Sequence, residues 1–474
     1  MMKLEAKECP KCGSPYINDD MVCEACGCRL MYSRRGYLVL AGSVEECPQC
    51  QFPNAPDTRY CGKCGTKLLF SCPHCLKEHF VSLEFCPVNG KKIDRKTHSL
   101  MDELRKNKRD IDMTMVMNLL RSGADVNLKD EMGYTPLHSV CESGYNDLAK
   151  HLLNFKADIN VRENTGKTPL HLAVMKGLAE TASLLLAFSA NPNIEDSDGN
   201  TPLHLAALIN DSEIIDLLCN MEADVNCHNH EGETPLHIAA AKGSFASASV
   251  LVAHRADVNA MNTSGKSFTG ELTGGETPLH YAAKHNHDGV ASVIIKNGAD
   301  INAKEFSEGM TPLHFAAAGG YDKMALLLLS SGADPNVKTK RKKLLTGEIS
   351  GGIAPLHLAA KTGDLPILAL LIKQGADINV LEFMENWTPL HVAAREGHVK
   401  IVRYLLEQGA KTGLLTRRGM APWQEAARKY SDLIYQRADS RSAAGYGEIM
   451  KLLEEHMPAG EKANLGTWKK MFML

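Results

Sequence analysis

The stretch Gly199-Asn200-Thr201-Pro202-Leu203-His204-Leu205-Ala206-Ala207 decides how this chain is read. Thr followed by Pro is a helix start. The hydroxyl caps the first turn, and proline at the first helical position needs no N–H. Gly199, two positions before the Thr, supplies a turn that tolerates positive φ. Leu203, Ala206 and Ala207 show the large-plus-small pattern of a helix packed tightly on a neighbour. The apolar stretch Ile214-Ile215-Asp216-Leu217-Leu218 predicts a second short helix.

The same string starts at Thr135, Thr168, Thr201, Thr234, Thr277, Thr311 and Thr388, with variants at Ala354 and Ala421. Successive starts lie 33, 33, 33, 43, 34, 43, 34 and 33 residues apart. Removing ten residues from each long interval restores a period near 33. A second string, Gly-Ala-Asp-Val-Asn at 123–127, recurs around Asp158, Asp224, Asp257, Asp300, Asp334 and Asp377. The turn residue before each start is glycine except at Asn386, the residue next most tolerant of positive φ. Glycine also closes second helices, as at Gly123, Gly298 and Gly375. Each unit is a turn and two short antiparallel helices. One unit cannot bury its apolar face alone, so units must stack.

These motifs resemble the ankyrin repeat over roughly residues 98–457, about ten units. The resemblance implies a mainly α solenoid that offers an extended surface of finger turns and first-helix faces to a protein partner. The ends depart from the pattern, as caps do. Residues 99–127 carry charge where an inner unit is small and apolar. The last unit has Trp423-Gln424 and a longer inter-helix segment from Tyr430 to Tyr446. The tail, 458–474, is read as a frayed terminus, although Trp468-Lys-Lys-Met-Phe-Met-Leu474 is apolar enough to dock.

The two ten-residue insertions are related. Thr269-Gly-Glu-Leu-Thr-Gly-Gly275 and Thr346-Gly-Glu-Ile-Ser-Gly-Gly352 lie 77 residues apart, as if a two-repeat block had been duplicated. Both fall in the finger that precedes a first helix, so two long fingers should project on one edge. Such length is also simply tolerated in a surface loop. The second finger holds Lys338-Thr-Lys-Arg-Lys-Lys343, read as a solvated basic loop.

Of fifteen cysteines, twelve lie between Cys9 and Cys86. Cys9, Cys12, Cys23 and Cys26 form one Cys-x-x-Cys pair of pairs, and Cys47, Cys50, Cys61 and Cys64 repeat it at the same interval. Two such knuckles close a tetrahedral thiolate site suited to Zn²⁺, saturated by protein and therefore structural. In a third copy, Cys72, Cys75 and Cys86 predict a fourth ligand where Asn89 stands. Either that ribbon persists without metal, or His79 completes a Cys3His site. Two zinc sites are expected, with the third in question. Residues 47–93 resemble the double zinc ribbon, with a degenerate second half. The reading is a ribbon at 1–30, a linker at 31–46, the double ribbon at 47–93, the solenoid at 98–457 and the tail.

Composition narrows function. Net charge is −3, with 44% hydrophobic and 23% charged residues. No apolar run approaches the ~20 residues that span a bilayer. The opening Met-Met-Lys-Leu-Glu-Ala-Lys-Glu lacks the apolar stretch of a signal peptide, and metal-ligand cysteine spacing fits a reducing, cytoplasmic setting. Residues 1–95 hold 13 Lys/Arg and 11 Asp/Glu, a formal +2. Two thiolate sites at about −2 each make the segment about −2, a poor footprint for phosphate. Nucleic-acid binding through the ribbons is therefore the second reading. The sequence has no phosphate-binding Gly-x-x-x-x-Gly-Lys-Ser/Thr loop and no Gly-x-Ser-x-Gly elbow. The Thr/Ala-Pro-Leu-His histidines are read as tying helix starts to loops. No small-molecule substrate or catalysis is expected. Partner-binding candidates are the acidic finger residues Glu195, Asp196, Asp198, Glu231, Glu233, Glu305 and Glu308, with Phe306, Phe383, Met384 and Trp387. The same aromatics could equally brace neighbouring fingers.

Overall fold

The computed structural model describes residues 100–104, 111–121, 124–263, 273–343, 349–435 and 440–472, with short strands between Lys7 and Phe80. Two units are compact: Met1–Val140 with Asp147–Asp158, and Cys141–Asn146 with Ile159–Leu474.

In the first unit, the strands pair as antiparallel hairpins. Lys7–Glu8 pairs with Pro15–Tyr16, Leu30–Tyr32 with Leu38–Leu40, Glu45–Glu46 with Pro53–Asn54, and Leu69–Ser71 with Glu78–Phe80. Helices Leu100–Leu104 and Met113–Arg121 follow, burying Leu100, Leu104, Val116 and Leu120.

The second unit is a stack of helix pairs. First helices run from Pro169–Met175 to Pro422–Tyr435, and second helices from Ala179–Ala187 to Ser440–His456. The core repeats with the sequence. Leu170, Ala173 and Leu185 are fully buried, as are Leu203, Ala206 and Leu218 one repeat on. Each such leucine contributes about 1.5–3 kcal/mol through burial. The alanines let the helices approach closely.

Three side-chain devices recur. The first secures the helix start. The N–H of Thr201 donates to His204 Nδ1 at 3.1 Å, and the His204 N–H faces back to the threonine, a capping box with His in place of the usual Glu. At Ala354 only the His357 half of that exchange exists. Nε2 then reaches forward: His204 donates to Glu233 O at 3.0 Å, His237 to Glu276 O at 3.0 Å and His357 to Trp387 O at 2.9 Å. The histidine thus ties its own helix start to the following repeat.

The second device is an asparagine ladder. Asn193 Oδ1 accepts from the Asp224 N–H at 2.8 Å, Asn226 from Asp257 at 2.8 Å and Asn336 from Asp377 at 2.7 Å. The third closes each finger. The Asp196 carboxylate accepts from the N–H groups of Asp198 and Asn200. Asn229 does the same for Glu231 and Glu233, and Glu382 for Met384, Glu385 and Trp387. Asn386 adopts φ 59°, so the one non-glycine turn position is left-handed like the rest.

Two expectations change at the C-terminal end. The inter-helix segment is mostly helical: one helix reaches Tyr435 and the next starts at Ser440. The tail is not frayed. It forms helix Leu465–Met471, whose Trp468 stacks on buried Trp423 at 6.1 Å while Phe472 meets the same ring at 6.4 Å. Lys469 pairs with Glu454 at 3.0 Å, and Thr412 donates to Glu461 at 2.9 Å. The exposed end of a stack needs an apolar cover, and Trp423 receives one from the tail.

Candidate interaction surface and metal ribbons

The fingers lie side by side, joined by backbone hydrogen bonds. The N–H of Ser197 donates to Thr165 O, His230 to Asp198 O, Phe306 to Gly274 O, Lys340 to Glu308 O, Phe383 to Gly351 O and Arg417 to Glu385 O. The duplicated insertions share one base. Gly274 and Gly275 have φ of 93° and 76°, and Gly351 and Gly352 have 102° and 74°. Phe306 packs on Gly275 as Phe383 packs on Gly352. Above its base the second insertion forms a hairpin of Lys342–Lys343 with Ile349–Ser350. Residues 264–272 of the first lie outside the described residues.

The candidate side chains differ in burial and in partners. Glu195, Asp198, Glu231 and Glu308 are exposed at finger tips, and Met384 is 41% exposed. Asp196 and Glu305 are buried inside their loops, at 3% and 4% exposure. They serve as the finger-closing acceptors. Burial opposes the Glu305 charge, but hydrogen bonds from Ser307, Met310 and Glu308 outweigh it and hold the carboxyl below its usual range. Glu233 is half-buried and accepts from the Tyr281 hydroxyl at 2.6 Å. The aromatics carry cations: Lys340 lies 5.9 Å from the Phe306 ring centre, Lys338 5.7 Å from Phe383, and Arg395 4.6 Å from Trp387.

Sequence reasoning named the first-helix face as part of the surface but placed every candidate side chain on the fingers. Met175 and Leu208, each seven residues after its Thr, are 42% and 46% exposed, and Ile209 is 37% exposed. The repeat frame contained the signal. Residues seven and eight places after the Thr have no part in the Thr-Pro-Leu-His, small-residue or Asn devices.

The buried histidines are spent on structure. Burial holds His171, His237, His314 and His391 down to about 4, so each imidazole is neutral at physiological pH. Burial pushes the Cys219 and Cys227 thiols up to about 11, away from nucleophilic thiolate. Among the described residues, no group of three His, Cys, Asp or Glu side chains could hold a metal ion, and no helix is long and apolar enough to cross a membrane.

The cysteines proposed as ligands, from Cys9 to Cys86, lie outside the described residues. The strands around them are informative. In sequence, Cys9 and Cys12 fall between the paired strands Lys7–Glu8 and Pro15–Tyr16, Cys47 and Cys50 between Glu45–Glu46 and Pro53–Asn54, and Cys72 and Cys75 between Leu69–Ser71 and Glu78–Phe80. A Cys-x-x-Cys between two paired strands is the setting of a thiolate knuckle, and a set of soft sulfur donors fits Zn²⁺. His79 sits in the last of these strands, opposite Phe70.

Stacked helix pairs with periodic caps and turns define a helical-repeat solenoid. The chain belongs to the ankyrin-repeat family: the family described as ankyrin repeats (3 copies) matches residues 108–196, 183–262, 264–339 and 342–417, more than half of the chain. The double zinc ribbon family matches residues 47–90. Protein phosphatase 1 regulatory subunit 27 of Homo sapiens and that of Mus musculus are each 50% identical to this chain over 34 residues. That stretch is 7% of this chain and 22% of each relative, the length of one repeat.

Proposed function

We propose that this chain is a non-catalytic scaffold or adaptor of the cytoplasm, binding a protein partner through its finger tips and first-helix faces. The observation that carries the reading is the exposure of Met175, Leu208 and Ile209 at positions with no role in the repeat devices. Exposed apolar side chains on a surface that also carries charged tips mark a protein-interaction site. The ribbons at 1–30 and 47–93 form a metal-stapled head. Cys9, Cys12, Cys23 and Cys26 hold one zinc ion, and Cys47, Cys50, Cys61 and Cys64 a second. In the third ribbon Asn89 replaces a ligand, and tight binding is lost. Zinc supplies folding energy in such segments and no open coordination position for chemistry.

The test is quantitative affinity purification of the full chain against its Met175→Glu/Leu208→Glu variant. The variant should lose a stoichiometric partner while keeping its unfolding midpoint. Retention of every partner by the folded variant would refute the reading.

A further inference from the structure

The finger edge changes sign along the stack. In the fingers around 195–233 the exposed tip carboxylates are Glu195, Asp198 and Glu231, with Glu233 behind them. In the fingers around 304–341 the exposed tip cations are Lys304, Lys340 and Arg341, with half-buried Lys338; the exposed carboxylates are Glu308 and Asp334, the latter in the asparagine ladder. Glu305 keeps its charge inside the loop, turned onto its own backbone N–H groups, so with Glu308 and Asp334 it stands against the four cations Lys304, Lys338, Lys340 and Arg341, and the excess remains cationic. Finger-to-finger hydrogen bonds run within each block, and the close approach of Thr263 to Gly232 and the Phe306 N–H to Gly274 O bond continue the row between them. The two blocks are separated by more than a Debye length of about 8 Å, so each keeps its own potential at physiological salt.

We propose that this edge receives an extended protein segment with a basic block over 195–233 and an acidic block over 304–341. The proposal rests on the protein-binding reading and specifies the partner's chemistry. From Asp198 to Lys340 is four repeats, about 40 Å at the ~10 Å spacing of packed helices, which ~12 extended residues span. A nucleic acid fits poorly. Its phosphates would meet the carboxylate block, and the rings of Phe306, Phe383 and Trp387 already carry Lys340, Lys338 and Arg395 where bases would stack.

The test uses two fluorescent synthetic peptides of one composition: a Lys block joined to a Glu block, and the same residues in strict alternation. With the full chain, anisotropy should show the block peptide binding at least about fivefold tighter. Glu195→Lys/Asp198→Lys and Lys304→Glu/Arg341→Glu should each remove that preference. The neutral pair Lys304→Gln/Arg341→Gln, which adds no repulsion, should reduce it. Equal binding of the two peptides, insensitivity to these variants, or displacement of the block peptide by a single-stranded oligonucleotide would overturn the proposal. If the peptides fail while Met175→Glu/Leu208→Glu still loses its partner, only the bipolar inference falls. If that variant loses nothing, the protein-binding reading falls with it.

Discussion

The ring of Phe383 lies against Gly352, so close that a Cβ on the glycine would come within 2.6 Å of Phe383 Cγ. Phe306 stands in the same relation to Gly275, at 2.5 Å. Each long finger is thus sealed at its base by an aromatic ring from the next repeat. Gly352→Ala adds left-handed strain at φ 74° to that clash and should cost about 1–3 kcal/mol in denaturant unfolding. Gly375→Ala, at φ 91° with nothing within 4 Å, should show the smaller cost of strain alone. Equal losses at the two sites would contradict the sealed-base account.

The buried histidines set an acid limit. Their folded values are lowered by burial to about 4, below the ordinary ~6.5. Above that ordinary value both states are neutral and the histidine contribution is fully present. As pH falls from ~6.5 towards 4 the unfolded chain takes up protons that the folded chain refuses, so stability falls, by about 1 kcal/mol per histidine at pH ~5.5. Denaturation midpoints that are flat between about pH 7.5 and 5.5 would contradict this.

The asparagine ladder should be felt one rung at a time. Asn226→Ala leaves the Asp257 N–H without its 2.8 Å acceptor and should cost about 0.5–1.5 kcal/mol. Asn226→Asp keeps an acceptor oxygen and should cost less. An alanine variant as stable as the wild type would show that water replaces the bond freely.

Removal of the tail should weaken the last repeat. Trp423 is 1% exposed with Trp468 stacked on it, so Trp468→Ala should shift tryptophan emission to the red and cost about 1–2 kcal/mol. Unchanged emission, after allowing for the missing indole, would contradict the docked tail.

Zinc content tests the ribbons. Elemental analysis under reducing conditions should give two zinc ions per chain, one for each complete set of four cysteines. A third would show that His79 or Cys28 has been recruited to the site that Asn89 leaves open. A value near zero would remove the structural-zinc reading.

The repeat was legible because each Thr-Pro-Leu-His unit carries its own cap, turn and close-packed helix within 33 residues. What was less legible depends on neighbours. The spacing marks His204 as structural, but its reach to Glu233 O of the next repeat needs the stacked geometry. Asp196 reads as an exposed acid because nothing in its composition shows that Asp198 and Asn200 fold back onto it. Trp468 finds Trp423 across 45 residues, a pairing that no local pattern encodes.

The central claim is that structural and binding duties fall on different residues. The direct measurement is a side-by-side comparison of Asn226→Ala and Leu208→Glu for unfolding midpoint and for partner bound per folded molecule. The account predicts that Asn226→Ala lowers the midpoint and keeps the partner, while Leu208→Glu keeps the midpoint and loses the partner. A loss of both by Leu208→Glu, or of neither, would contradict it.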